Sequence, residues 1–239
     1  CGVNLSSISA MAFWIARMVT GSAAAYYAYK SSFIGSTLYD PIFGSIELGG
    51  WYIPFTMFMI IAVVNSANLT DGLDGLLSGV SLIYSIAMGV LFLYFAKVFD
   101  SSFINEPRFV ANRDGMLCMS VFAFAVAGGC LGFLKSNSYP AKVFMGDTGS
   151  MALGGAMSAM VIYSRSPFLF LLMGVCIVAS AVSVVLQVGS FKLRHGKRIF
   201  KMAPLHHHFG LLGYPETKVV SGYMIVTALA CVAALALFL

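Results

Sequence analysis

Seven apolar runs, at residues 9–29, 51–67, 76–97, 117–134, 149–164, 168–190 and 219–239, are separated by short polar stretches. A helix crosses the hydrocarbon of a bilayer with about 20 apolar residues, and with as few as about 17. Every run but 149–164 meets that length, and 149–164 falls just short. Lipid offers no partner for backbone N–H and C=O groups, so each run is expected to be helical. The pattern predicts an all-α, polytopic transmembrane bundle of about seven spans, with residues 1–239 forming a single membrane domain. Ala127-Gly128-Gly129 and Gly154-Gly155-Ala156 mark places where helices are expected to touch, because small side chains let backbones approach. Arg17, inside the first run, either snorkels toward the headgroups or shows that the first helix begins later than the run does.

Composition agrees with a membrane chain: 59% of residues are hydrophobic and 10% charged, against about 25% charged in an ordinary soluble domain. The five cysteines (Cys1, Cys118, Cys130, Cys176 and Cys231) lie far apart and mostly within apolar runs. They read as small buried hydrophobes rather than metal ligands or disulfide partners. The net charge of +5 comes with no basic run carrying interleaved aromatics, so nucleic acid is not an expected partner.

The charge distribution speaks instead to topology. Seven spans sort the loops by parity into 68–75, 135–148 and 191–218 on one side, and 30–50, 98–116 and 165–167 on the other. The first set holds Lys135, Lys142, Lys192, Arg194, Lys197, Arg198, Lys201 and Lys218; the second holds Lys30, Lys97, Arg108, Arg113 and Arg165. Acidic residues divide almost evenly: Asp71, Asp74, Asp147 and Glu216 against Asp40, Glu47, Asp100, Glu106 and Asp114. The excess of cations places the first set in the cytoplasm. The cations at 192–201 set topology or hold anionic lipid headgroups.

Three unusual polar segments fall in that first set. Asn68-Leu69-Thr70-Asp71-Gly72-Leu73-Asp74-Gly75 carries two carboxylates three residues apart, which one helical turn would put on a common face. Its glycines let backbone approach a ligand closely. In Phe144-Met145-Gly146-Asp147-Thr148-Gly149-Ser150 the carboxylate sits where a loop meets a helix, a setting suited to a hydrated Mg²⁺ that bridges phosphates. Helix capping is the plain alternative for both segments. In Ala203-Pro204-Leu205-His206-His207-His208, consecutive side chains diverge too far to share one metal. They can still donate hydrogen bonds to a diphosphate from several directions. Together the segments suggest phosphoryl transfer, which depends on charge neutralisation and positioning more than on a covalent nucleophile.

The stretches NLTDGLDGL at 68–76, YPAKVFMGDTGS at 139–150, LQVGSFK at 186–192 and MAPLHHHF at 202–209 closely resemble the phospho-N-acetylmuramoyl-pentapeptide transferases. These bacterial enzymes of peptidoglycan synthesis belong to the polyprenyl-phosphate N-acetylhexosamine-1-phosphate transferase superfamily. The resemblance runs over nearly the whole chain from about residue 10. It implies a multi-pass protein of the bacterial cytoplasmic membrane, with its active site on the cytoplasmic face. It implies a Mg²⁺-dependent reaction in which UDP-MurNAc-pentapeptide and undecaprenyl phosphate give lipid I and UMP, and it suggests a homodimer among membrane lipids. By motif position, Asp147 resembles the principal Mg²⁺ ligand and Asn68 its partner. Asp71 and Asp74 resemble active-site carboxylates, Asp74 and Asn68 also contacting substrate. Phe144 resembles an aromatic that stacks on uracil, and Asn137 and Gln187 resemble substrate-pocket residues. His206, His207 and His208 resemble diphosphate or sugar contacts.

The departures have their own implications. Family members have ten spans, and this chain matches the fourth to the tenth; it opens on Cys1 and reads as the C-terminal portion of a longer protein. The family's paired-aspartate motif lies upstream and has no match here, so no turnover is expected from this polypeptide alone. Ser180 and Gly210 stand where the family carries Glu. A sister transferase moving another sugar phosphate, such as GlcNAc-1-phosphate, is one rival, opposed by the MAPLHHHF form. A transporter is another, but its ionisable groups are expected in mid-helix, whereas these lie at helix ends.

Overall fold

The computed structural model describes residues 5–31, 34–40, 44–102, 107–194 and 196–238, and their side chains except at 5–17, 40, 99–102 and 107–112. Cys1 and Glu106 lie outside these residues, as does the side chain of Arg17. The elements in order are α1 (Leu5–Lys30), β1 (Thr37–Asp40), β2 (Gly44–Glu47), a 3-10 turn at Gly49–Trp51, α2 (Tyr52–Thr70), α3 (Leu76–Ser102), α4 (Pro107–Asn137), α5 (Gly146–Ser164), α6 (Pro167–Met173), α7 (Val175–Leu193), α8 (Leu205–Leu211) and α9 (Glu216–Phe238). Each of the seven apolar runs is therefore helical over its described residues, apart from a turn at Gly174. Among the described residues, five helices are long and apolar enough to cross a membrane: Gly49–Thr70, Leu76–Val98, Arg113–Asn137, Val175–Leu193 and Glu216–Phe238.

α3 is the axis of the bundle. It is apolar on every side, as a helix surrounded by others must be, and 72% of its span is buried against 22% for that of α4. Tyr84, Met88, Leu91 and Phe92 of α3 pack into one core with Met157 and Met160 of α5 and Leu169 of α6.

The structure departs from the apolar pattern in three places. The run 168–190 is two helices, because the chain turns at Gly174; a Cβ there would lie 2.7 Å from the Phe170 carbonyl oxygen, so no larger residue fits the turn. Residues 37–47 form an antiparallel hairpin pairing Thr37 with Glu47 and Leu38 with Ile46, which the all-α expectation did not include. The small-residue clusters are only partly contacts. A Cβ on Gly154 would come within 2.7 Å of Val64 Cα, so α5 and α2 meet there, but Gly128, Gly129 and Gly155 face open space. Cys130, Cys176 and Cys231 are buried as expected, whereas Cys118 is exposed on α4.

The loop parity holds in three dimensions. The segments 68–75, 137–147 and 201–216 gather at one end of the bundle, joined by hydrogen bonds between residues far apart in sequence. At the other end the hairpin meets the α5–α6 turn, where the Tyr39 amide donates to the Arg165 carbonyl at 2.9 Å.

Candidate active site

α2 ends at Asp71, whose backbone φ of −77° and ψ of 61° take the chain out of the helix. From there the backbone runs through a bend rather than a helical turn, and Gly75, at φ +76°, redirects it into α3. The expectation of one helical turn carrying both Asp71 and Asp74 is corrected: an irregular loop brings them together. α5 begins at Gly146, at φ +65°, with Asp147 in its first turn. No side chain caps that helix. Asp147 Oδ1 instead accepts a 3.0 Å hydrogen bond from the Asn68 side-chain amide, which also donates to Ser150 Oγ at 3.0 Å. Capping alone does not account for Asp147.

These groups frame a cleft of about 290 Å³ lined by Asp71, Gly72, Leu73, Asp74, Asn137, Phe144, Met145, Gly146, Asp147 and Glu216. Five of the residues singled out in the sequence, Asp71, Asp74, Asn137, Phe144 and Asp147, thus meet in one place. Asn68 touches it through Asp147.

The lining residues do different things. Asp74 braces the cleft: its Oδ2 accepts from the Ala141 amide at 2.8 Å, and its own amide donates to Glu216 Oε1 at 2.8 Å. Asn137 is buried and holds the same loop, accepting from Ser78 Oγ at 2.8 Å and donating to the Val143 carbonyl at 3.0 Å. Phe144, the next residue along, is left 74% exposed, a free aromatic face on a loop pinned from both sides.

Asp71 and Asp147 form the electrostatic centre. Burial, and then the nearby Asp147 charge, hold the Asp71 carboxyl above its usual range. Asp71 also closes the C-terminal end of α2, where the helix dipole is negative and the last turn carries no basic residue. Two carboxylates, the carbonyl oxygen of Asn68 and a negative helix end make a donor set for a hard divalent cation. Mg²⁺ needs only one or two protein carboxylates, with water and phosphate oxygens completing its shell. No cluster of three His, Cys, Asp or Glu is present among the described residues, which such a shell does not require.

The histidines diverge, as adjacent residues must. His206 is fully buried beneath Gly72; a Cβ on Gly72 would lie 2.3 Å from His206 Nε2. Neither of its ring nitrogens has a hydrogen-bond partner. Burial, and then the neighbouring His207, push its pKa down to about 4, so the ring is neutral at pH 7. His207 stacks obliquely on it, ring centres 4.4 Å apart. His208 turns away: its Nδ1 accepts from the Lys201 amide at 3.1 Å and its ring packs on Phe200. The histidine segment therefore abuts the cleft through Gly72 without lining it. Gln187 does not line it either. Its Oε1 accepts from the amides of Ile199 and Phe200, at 3.1 and 2.9 Å, while its Nε2 donates to the Phe200 carbonyl at 2.9 Å.

Sequence reasoning missed Glu216 as a cleft residue. The available signal was that it is the only acid in the loop 191–218, at the start of the last helix. Ser180 and Gly210, where Glu was expected, lie away from the cleft lining: Ser180 is buried in α7 and bonds back to the Cys176 carbonyl, and Gly210 is exposed in α8.

A helical membrane bundle that gathers its carboxylates into one cleft at a helix-loop end is the class defined by this fold and site. The sequence profile of glycosyl transferase family 4 matches residues 9–165, and the chain belongs to that family. It is 44% identical over 218 residues to a phospho-N-acetylmuramoyl-pentapeptide-transferase of Clostridium novyi (strain NT), covering 91% of this chain and 61% of that protein. Proteins of the same name from Clostridioides difficile (strain 630) and Caldanaerobacter subterraneus subsp. tengcongensis (strain DSM 15242 / JCM 11007 / NBRC 100824 / MB4) are 47% and 46% identical, over 90% and 84% of this chain and 61% and 58% of their own lengths. The chain thus spans about three fifths of the length of the curated relatives it matches.

Proposed function

We propose that this chain carries the donor and metal cleft of a phosphoglycosyl transferase that moves phospho-MurNAc-pentapeptide from UDP-MurNAc-pentapeptide to undecaprenyl phosphate. A phosphate oxygen of the acceptor lipid attacks the β-phosphorus of the donor, the bond to the α-phosphate breaks, and UMP leaves; the product is lipid I, committed to peptidoglycan. One observation carries the reading above the rest: the Asn68 amide holds the Asp147 carboxylate across 79 residues of sequence at 3.0 Å, beside an Asp71 whose charge is disfavoured in the protein alone. That arrangement stores negative charge where a cation and a diphosphate would relieve it.

Asp147 and Asp71 are the residues that would hold Mg²⁺, with Asn68 orienting Asp147. Bound there, Mg²⁺ supplies charge neutralisation at the diphosphate oxygens. Phe144 offers the exposed ring on which uracil stacks, and Asp74 and Asn137 fix its loop. His206 supports Gly72 from below, and His207, stacked on its ring, is read as a contact for the pyrophosphate or sugar. The cytoplasmic face is supported by the eight-to-five excess of cations on the site side. A homodimer belongs to the same reading.

The test is UMP release from UDP-MurNAc-pentapeptide and undecaprenyl phosphate, with and without Mg²⁺. It is run on this chain and on a form extended at its N-terminus to the length of the relatives. Mg²⁺-dependent release by the extended form, and none with UDP-GlcNAc as donor, is the expected result. Preference for UDP-GlcNAc would move the reading to a sister enzyme, and release unaffected by a chelator would remove the metal.

A further inference from the structure

Buried serines in this bundle mostly bond to their own helix. Ser66, Ser158 and Ser180 donate to the carbonyl four residues back, and Ser164 and Ser183 to the carbonyl three back. Such bonds are local and position nothing beyond their own turn. Ser78 differs. It sits fully buried in the first turn of α3, yet its Oγ donates at 2.8 Å to Asn137 Oδ1, 59 residues away in sequence. That bond decides which way the Asn137 amide faces, because the oxygen must point at the hydroxyl. The other end, Nδ2, is then turned to the Val143 carbonyl at 3.0 Å. The Val143 amide is held separately by the Ser136 carbonyl at 3.3 Å. Both peptide groups of the residue before Phe144 are thus fixed, while Phe144 itself stays 74% exposed.

We infer that Ser78 is a positioning residue for the nucleotide end of the donor; the ligand rests on the transferase reading above. Ser78 does not line the cleft. It acts through Asn137, and through Asn137 on the peptide plane that aims the Phe144 ring. Asp74 and Ser78, four residues apart at the head of α3, make two rungs to one loop: Asp74 Oδ2 holds the Ala141 amide, and Ser78 holds Asn137. Without the Ser78 hydroxyl, Asn137 Oδ1 is a buried acceptor that has lost its donor. Turning the amide over offers no relief, since it sets that oxygen against the Val143 carbonyl oxygen. Either way Phe144 loses its fixed direction. The Asn68–Asp147 pair is bonded through other groups and keeps its geometry, so the effect falls on donor binding rather than on the metal.

The test is Ser78→Ala in the form extended to the length of the relatives. KM and kcat for UMP release are measured against UDP-MurNAc-pentapeptide and against undecaprenyl phosphate, and UMP binding is measured by calorimetry. KM for the donor and Kd for UMP should each rise about tenfold, with kcat and KM for the lipid held within about twofold. Ser78→Cys, close in volume but a weaker donor, should fall between wild type and alanine, and it decides the question if the alanine form does not fold. Ser158→Ala removes a buried hydroxyl that bonds only to its own helix and should change neither constant. A fall in kcat or melting temperature with donor KM unmoved makes Ser78 a packing residue and overturns the inference. So does a donor KM that rises while UMP binding stays the same, because the effect then lies at the sugar or peptide. A wild-type enzyme that binds neither UMP nor UDP-MurNAc-pentapeptide overturns the transferase reading itself.

Discussion

α5 carries an anion at its start and a cation at its end, both matched to the helix dipole, yet the two charges live differently. Arg165, the C-cap at φ 58°, sits over the Tyr39 ring at 5.4 Å and donates to its hydroxyl at 3.4 Å, while its carbonyl accepts from the Tyr39 amide. Its charge closes the far end of the bundle. Asp147 meets an amide and a second carboxylate, and the protein supplies Asp71 with no cation at its helix end. One end spends its charge on holding the fold. The other keeps it in reserve, which is how a binding site differs from a structural junction made of similar residues.

The sharpest way to break that contrast is Asp147→Ala in the extended enzyme. UMP release should fall at least about a hundredfold, the scale for losing a key electrostatic group, and near-normal turnover removes Asp147 as the metal ligand. The His206 ring gives the next largest effect. Its pKa in the folded protein is about 4, below the roughly 6.5 of an unfolded chain. Between those values the unfolded state binds the proton and the folded state does not. Stability should therefore fall as pH drops from about 6.5 to 4, by about 2 kcal/mol, in thermal melts. His206→Leu should flatten that slope.

Gly72→Ala drives a methyl into His206 Nε2 and should cost about 1.5 kcal/mol as overpacking; the double variant with His206→Ala should recover most of it. Asp71→Asn should lower activity about tenfold, and yet raise the melting temperature without Mg²⁺, because it removes a half-buried charge facing Asp147. The smallest effect belongs to the far end. Arg165→Ala should lose about 0.5–1 kcal/mol of stability with its ring contact and leave UMP release unchanged; a drop in turnover would join the two ends functionally.

Much of this was legible in the chain. Apolar length alone located the helices, since lipid leaves the backbone no other choice, and loop parity put three polar segments at one end. What the pattern could not show depends on tertiary contacts. Gly174 breaks a run that stays apolar on both sides, so hydropathy passes over it. The 37–47 hairpin is too short to impose a period. Gly129 and Gly155 look like packing residues because sequence cannot tell a helix neighbour from a groove. His206 reads as a ligand-facing polar group until Gly72 is seen above it. Asp74 and Gln187 were recognisable as important, while their use as braces of the backbone became visible only with their partners in place.

The grip of Gln187 on residues 199 and 200 has a consequence for the charged stretch beside it. One uncharged side chain makes three bonds to that loop's main chain, and Ser190 adds another at Lys197. The loop's main chain is therefore held mostly by neutral side chains, with Lys201 adding a bond from its ammonium to the Leu211 carbonyl at 3.2 Å. Lys192, Arg194, Lys197 and Arg198 then form an outer fringe on a fixed hem, placed to meet whatever headgroups the membrane presents.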